Sequence, residues 1–427
     1  MKYFLLVLFF LTVSTATARA TDYYFNSATG SDNNNGTSTS TPWKSAAKIN
    51  TLDLNAGDNL YFQSGQSFPV AAKLYLQNND SGTATNPVTF TTYGGSNPAI
   101  FNVSSSDDAI YGYNVSGLRI NNLTLIGPGN ATADTVVGIL IYTTSGPQSS
   151  LKIDKVDVSK FGRGIVIGSG NGAQHSDISV TNALVHDNTF DGMLTFSAST
   201  PVLNNVYVGY SRFYNNTGKA GLNKNSGSGL IAGGVNGGVI EHNVAYNNGA
   251  LADAGEGPVG IWAYQANNVN FQYNTSYSNR TGGPADGGGF DLDGGVTNSI
   301  MQYNYAYDND GACLGVYQYS GAGEWKDNIF RYNICQNNAR KNGYGEVTFW
   351  NNSTGIANAQ FYNNTFYTSP TSNTSPAVVT YLTTNATSSL IMRNNIFYTT
   401  DTSPFVYDPY GQSGSTFQSN DYFNNSG

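Results

Sequence analysis

Charge is scarce in this chain. Asp, Glu, Lys and Arg make up only 11% of its 427 residues, and the 19 basic side chains are outnumbered by 27 acidic ones. A surface that binds nucleic-acid phosphates needs clustered Lys and Arg, so nucleic acid is excluded as a partner. Histidine is rarer still, and His175, His186 and His242 are so scattered that they read as structural. Two cysteines, Cys313 and Cys335, are too few for a disulfide framework; they permit one bridge without implying it. After the first residues, no stretch approaches the roughly 18 consecutive apolar residues of a spanning helix, which excludes a membrane span of that kind.

What remains is an acidic chain rich in Gly (49) and Tyr (30), a composition that points to a repetitive β protein acting on neutral glycans, or on anionic ones through a cation. The first twenty residues read as an address. Lys2 precedes the apolar run 3–11, and Ala18-Arg19-Ala20 has the form of a cleavage site, so a secreted mature chain beginning near Thr21 is expected.

Residues 21–68 read as an N-terminal cap and first strands. Thr41 is a fair N-cap, Pro42 suits a first helical position, and Trp43, Ala46, Ala47 and Ile49 give an apolar stripe, so a capping helix starting at Pro42 is expected. Gly57-Asp58 then turns into a strand at Asn59-Leu60-Tyr61-Phe62. Residues 69–427 repeat. Asn243, Asn274, Asn304, Asn333, Asn364 and Asn395 recur in similar settings about thirty residues apart, with no helical pattern between them. Such a period means short strands and turns, one coil per repeat. Stacked coils would align these Asn side chains in one internal ladder, at turns where Asn tolerates a left-handed backbone.

Each Asn turn is followed by an apolar strand, led by Gly in all but the last of the set. The set is Gly229-Leu230-Ile231-Ala232-Gly233, Gly260-Ile261-Trp262-Ala263-Tyr264, Gly289-Phe290-Asp291-Leu292-Asp293, Gly315-Val316-Tyr317-Gln318-Tyr319 and Val347-Thr348-Phe349-Trp350. Alternation along a strand buries Phe290 and Leu292 and turns Asp291 and Asp293 outward together. Stacking then places Trp262, Tyr264, Tyr317, Tyr319, Thr348 and Trp350 on the same exposed face, as a strip of aromatics with carboxylates in its middle. Sugar rings pack their C–H faces on aromatic rings and satisfy their hydroxyls with polar groups, so this strip reads as a glycan-binding groove. Two carboxylates two residues apart on a strand lie about 6.5 to 7 Å apart, which suits an acid and a base across a glycosidic bond, at the low end of the inverting range. Asp291 and Asp293 are therefore the candidate catalytic pair. Glu256, Asp286, Asp310 and Glu346, each just before a groove strand, are the alternates.

Thr29-Gly30-Ser31-Asp32, Pro42-Trp43-Lys44, the Gly57-Asp58 turn and the Asn-centred coils closing on Gly289-Phe290-Asp291-Leu292-Asp293-Gly294 resemble secreted proteins of the pectate-lyase-like superfamily. The resemblance covers nearly the whole mature chain. It implies an all-β, right-handed parallel β-helix and a polysaccharide partner, and leaves the activity open, because that scaffold carries hydrolases, lyases, esterases, epimerases and adhesins. Polygalacturonase-like members carry paired Asp followed by Gly-His-Gly and Arg-x-Lys; this chain has Asp107-Asp108 and neither later motif, so that pair reads as a turn.

A glycoside hydrolase using paired carboxylates and no cofactor is the leading expectation. The alternatives are a lyase, which would take Ca2+ on the carboxylates and need a base such as Lys219, Lys224 or Arg280, and a glycan-binding or adhesive protein with no turnover. A monomer is expected. The segment 419–427 resembles the interior of a coil, comparable to 361–367, so the chain is expected to continue past residue 427 or to have its last coil covered by another molecule.

Overall fold

A computed structural model describes residues 19–129, 133–198, 200–353, 355–372, 374–383, 387–411 and 414–425. Most of the expected leader lies outside them. Successive coils stack through parallel pairing only. Coil by coil, one strand joins a twelve-stranded sheet, while the other strands around a corner build a twenty-five-stranded one. The interior between them is apolar, with Phe62, Phe90, Phe101, Phe271, Phe290, Phe330 and Phe361 among its largest buried side chains.

The corners are held by amides. Asn243, Asn274, Asn304, Asn333, Asn364 and Asn395 are all buried. Each Nδ2–H donates to the next Asn Oδ1 at 2.9–3.1 Å, and the column runs on to Asn420. The Asn residues are not themselves the left-handed positions. That role falls on the residue before, as at His242 (φ 55), Tyr273 (φ 56), Tyr303 (φ 56) and Tyr332 (φ 57). The left-handed residue bends the chain and the following amide satisfies the backbone groups that the bend releases.

A second column stands five residues further along, at Asn188, Asn216, Asn248, Asn279, Asn309 and Asn338, with Nδ2–H to Oδ1 distances of 2.7–3.0 Å. It ends on Glu346, whose carboxylate accepts from the Asn338 backbone N–H (2.8 Å) and Nδ2–H (2.7 Å). Cys313 and Cys335 are joined in a disulfide, with Cα atoms 5.7 Å apart.

The N-terminal helix differs from expectation. It is a 3-10 helix over Ala46–Thr51, and its N-cap Ser45 makes no side-chain cap hydrogen bond. Trp43 instead forms a parallel bridge with Phe25, and its indole N–H donates to the Asn34 carbonyl at 2.8 Å. The short helix still closes the first edge of the twelve-stranded sheet, because Asn50 Oδ1 accepts the backbone N–H of Tyr75 at 2.9 Å.

Removing one rung of the first column tests its weight. Asn304→Ala strands the backbone and side-chain N–H groups of Asn274 that now donate to Asn304 Oδ1 at 3.0 Å. Two buried orphan donors should cost roughly 3 kcal/mol. The expected result is a clear drop in the urea midpoint, whereas Asn352→Ala on the surface should shift stability by less than about 0.5 kcal/mol.

Candidate active site

Two consecutive left-handed residues, Asp286 (φ 51) and Gly287 (φ 81), turn the chain into the strand Gly288–Leu292. Phe290 and Leu292 join the core and Asp291 faces out of it, so the expected alternation holds. Parallel register places Asp291 between Trp262 on one coil and Gly315 on the next, with Thr348 beyond. Gly315 had been expected opposite Gly289, so the register there is shifted by two residues. Because side chains alternate with period two, the slip leaves every residue on its expected face.

The outward face is a half-open cavity rather than a flat strip. Loop residues Asn225, Glu256, Asp286, Ser320 and Tyr344 rise around it and leave a cavity of about 700 Å³, the size of a small-ligand site. Asp291 is only 2% exposed, Trp262 8%, Tyr317 7%, and Thr348 is fully buried, against the expectation of an exposed strip. Tyr264, Tyr319, Trp350 and Asp293 are half-buried. All five expected aromatics line this cavity with Asp291, Asp293, Glu256 and Asp286. Trp262 is fixed by its indole N–H, which donates to Ser228 Oγ at 3.0 Å. Gly315 matters for space: a methyl group there would lie 3.1 Å from Asp291 Oδ1 and 2.9 Å from the Tyr317 ring.

Two alternates fall away. Glu346 is the terminus of the second amide column, and Asp310 pairs with Arg280 Nη1 at 3.3 Å and accepts the Thr281 N–H at 3.0 Å. Sequence reasoning missed Tyr344. Its hydroxyl accepts the Asp286 backbone N–H at 2.8 Å and donates to Asp286 Oδ1 at 3.3 Å. The spacing of 58 residues between them leaves no local signal.

Burial dominates the electrostatics. It pushes Asp286 up to about 6, while hydrogen bonds from the Gly257 N–H (3.1 Å), Tyr344 and Tyr317 pull the other way. Asp291 is raised well above the ordinary carboxylate range, first by burial and then by the charges of Asp293 and Asp286. Asp291 Oδ1 is buried with no hydrogen-bond partner. Asp293 is pushed up to about 7 by burial and by Asp286 and Glu256, although the Gly294 N–H donates to it at 2.7 Å. Three carboxyl groups in one cavity thus hold protons to different pH values.

The lining of this cavity, among the described residues, includes no Lys, Arg or His. Lys224 pairs with Asp134 (2.7 Å), Arg280 with Asp308 (2.7 Å), and Lys219 lies over the Phe190 ring. Among the described residues, the one group of three metal-type side chains with ligand atoms mutually within 4.8 Å is Cys313, Cys335 and Glu346, and its sulfurs are tied in the disulfide. The cavity carboxylates do not form such a cage.

A family described as "Right handed beta helix region" matches residues 137–366, more than half of the chain. The chain belongs to the right-handed beta helix family. This right-handed beta helix is 26% identical, over 90% of its length, to a lacto-N-biosidase of Bifidobacterium longum, and it spans 29% of the length of that relative. Among solved structures it resembles the GH136 lacto-N-biosidase from Eubacterium ramulus, with a TM-score of 0.63, 17% identity, and coverage of 94% of this chain and 68% of that one. The A-module of the mannuronan C-5 epimerase AlgE4 of Azotobacter vinelandii follows, with a TM-score of 0.53, 14% identity, and coverage of 86% and 87%. These structural likenesses show the fold. No helix among the described residues is long and apolar enough to cross a membrane.

The buried charges make a stability prediction for this right-handed beta helix. A carboxyl group whose folded pKa is raised contributes a destabilisation that is absent below the unfolded pKa near 3.8 and grows as pH rises toward the folded value. Asp291→Asn should therefore raise the melting temperature at pH 8 and leave it unchanged at pH 4. Thermal unfolding of both proteins at the two pH values checks this.

Proposed function

We propose that this right-handed beta helix is a glycoside hydrolase that encloses a short glycan unit in the cavity and cleaves the bond joining it to the rest of the chain. The observation that carries this reading is the convergence of Asp286, Asp291 and Asp293 inside an aromatic-lined cavity of about 700 Å³. The likeness to lacto-N-biosidases supports it and suggests a lacto-N-biose-type unit as substrate. A lyase would need a basic side chain on the cavity, and the described lining offers none. The leader expected over residues 1–20 would place this activity outside the cytoplasm.

Roles follow from the environments. Asp286 is held by three hydrogen-bond donors that favour its carboxylate, so it acts at the anomeric carbon, directly or through a water. Asp293, half-exposed at the cavity wall and raised further, keeps its proton longer and gives it to the glycosidic oxygen. Asp291, the innermost, stays neutral beside them, its proton held by burial and by the charges of Asp293 and Asp286. This arrangement moves Asp286 from alternate to principal, in place of Asp291. Trp262, Tyr264, Tyr317, Tyr319 and Trp350 supply the faces and edges against which the sugar packs, with Glu256 at the rim.

The test is release of p-nitrophenol from p-nitrophenyl lacto-N-bioside, together with a panel of other glycosides. Asp286→Asn and Asp293→Asn should each lower kcat by about 10²- to 10⁴-fold. Wild-type kcat/KM should fall below about pH 6, as Asp286 takes up a proton, and above about pH 7, as Asp293 loses one. Full activity in both variants would refute the assignment.

A further inference from the structure

One outward row of the twelve-stranded sheet alternates aromatic residues with glycine as it approaches the cavity. Register pairs Tyr142 with Gly168 and Gly168 with Phe196. Thr195 pairs with Ala232, which sets Phe196 beside Gly233, and Gly233 pairs with Tyr264 at the cavity wall. Each glycine is the bed of a ring. A methyl group at Gly168 would overlap the Phe196 ring, and one at Gly233 would overlap the Tyr264 ring. A ring that leans over a neighbouring glycine lies along the sheet and leaves ring face to solvent, unlike a ring packed face to face in a tight column.

The contrast is on the other sheet. Tyr214, Tyr246, Tyr277 and Tyr307 stack coil on coil at 4.8–5.0 Å with planes 2° apart, so their faces are spent on each other and only edges reach solvent. Tyr142 and Phe196 are half-buried and stack only loosely, with centroids 6.0 Å apart and planes 26° apart, wider than the 4.8–5.0 Å of the tyrosine column. The platform is continuous with the cavity, because half-buried Leu194 and Tyr264 pack on the apolar cluster of Ile231, Val259 and Trp262. No charged side chain interrupts the row from Tyr142 to Tyr264, which suits a neutral glycan.

We propose that Tyr142 and Phe196 form an outer sugar-binding platform, which receives the part of a glycan chain lying beyond the unit held in the cavity. This inference rests on the hydrolase reading of that cavity. Flat aromatic faces bind the C–H faces of sugars without demanding a particular sequence of residues, so the platform would favour long chains over short ones.

Two substrates separate the roles: p-nitrophenyl lacto-N-bioside, which fills only the cavity, and the same unit at the end of a glycan of six or more sugars. Phe196→Ala and Tyr142→Ala should each raise KM for the long glycan, roughly tenfold for Phe196→Ala, with kcat/KM for the short substrate unchanged. An unchanged KM for the long glycan in both variants overturns the platform and leaves the hydrolase reading standing. An equal loss on both substrates also overturns it, because it assigns the rings to the scaffold. Calorimetric binding of the long glycan to Asp293→Asn protein, with and without Phe196→Ala, gives a readout independent of turnover. Weaker binding with the Phe196 change supports the platform even if neither substrate is cleaved, and equal binding overturns it.

Discussion

A polar group shut away from water must find a partner, and in this molecule the partner is the same group one coil away. The two amide columns satisfy the backbone and side-chain groups at the corners, and they do so only when each coil sits in one register on the last. That constraint fixes the rest. It sets Asp291 between Trp262 and Gly315 and brings two outward carboxylates beneath loops from distant coils.

The cavity inverts the rule that builds the scaffold. Where each column pairs its amides one to the next, Asp291 Oδ1 is left without a partner and three carboxyl groups crowd together. Such an arrangement works against folding at neutral pH and is sustained by the stability of the surrounding coils. Unequal environments give the groups unequal proton affinities, and that inequality is what acid and base chemistry requires. The hydrogen bonds of Asp286 to Tyr344 and Gly257, set against the lone Gly294 N–H on Asp293, are its structural origin.

Much of this was legible in the sequence because strands and coils are periodic. Asn243 through Asn395 marked the coils, and the alternation of Phe290 and Leu292 with Asp291 and Asp293 fixed which side faces out. The second column was equally legible, five residues after the first, at Asn248, Asn279, Asn309 and Asn338. Enclosure was not legible, because it depends on loops such as those of Asn225 and Tyr344, whose placement is set by coils far from Asp291 in sequence. The sequence named Asp286 as an alternate, and its contact with Tyr344 was hidden for the same reason. The expected Pro42 helix failed because Trp43 satisfies its indole and backbone better by pairing beside Phe25 than by starting a helical turn.

The central claim is that carboxyl groups in this cavity retain protons near neutral pH, in a fixed order. Selective ¹³Cγ labelling of aspartate, with NMR titration of the whole protein and assignment through the Asp286→Asn, Asp291→Asn and Asp293→Asn variants, measures this directly. The account predicts that Asp286 titrates near 6, Asp293 near 7, and Asp291 well above the ordinary range. Titration of all three near the model-peptide value of about 4 would contradict it.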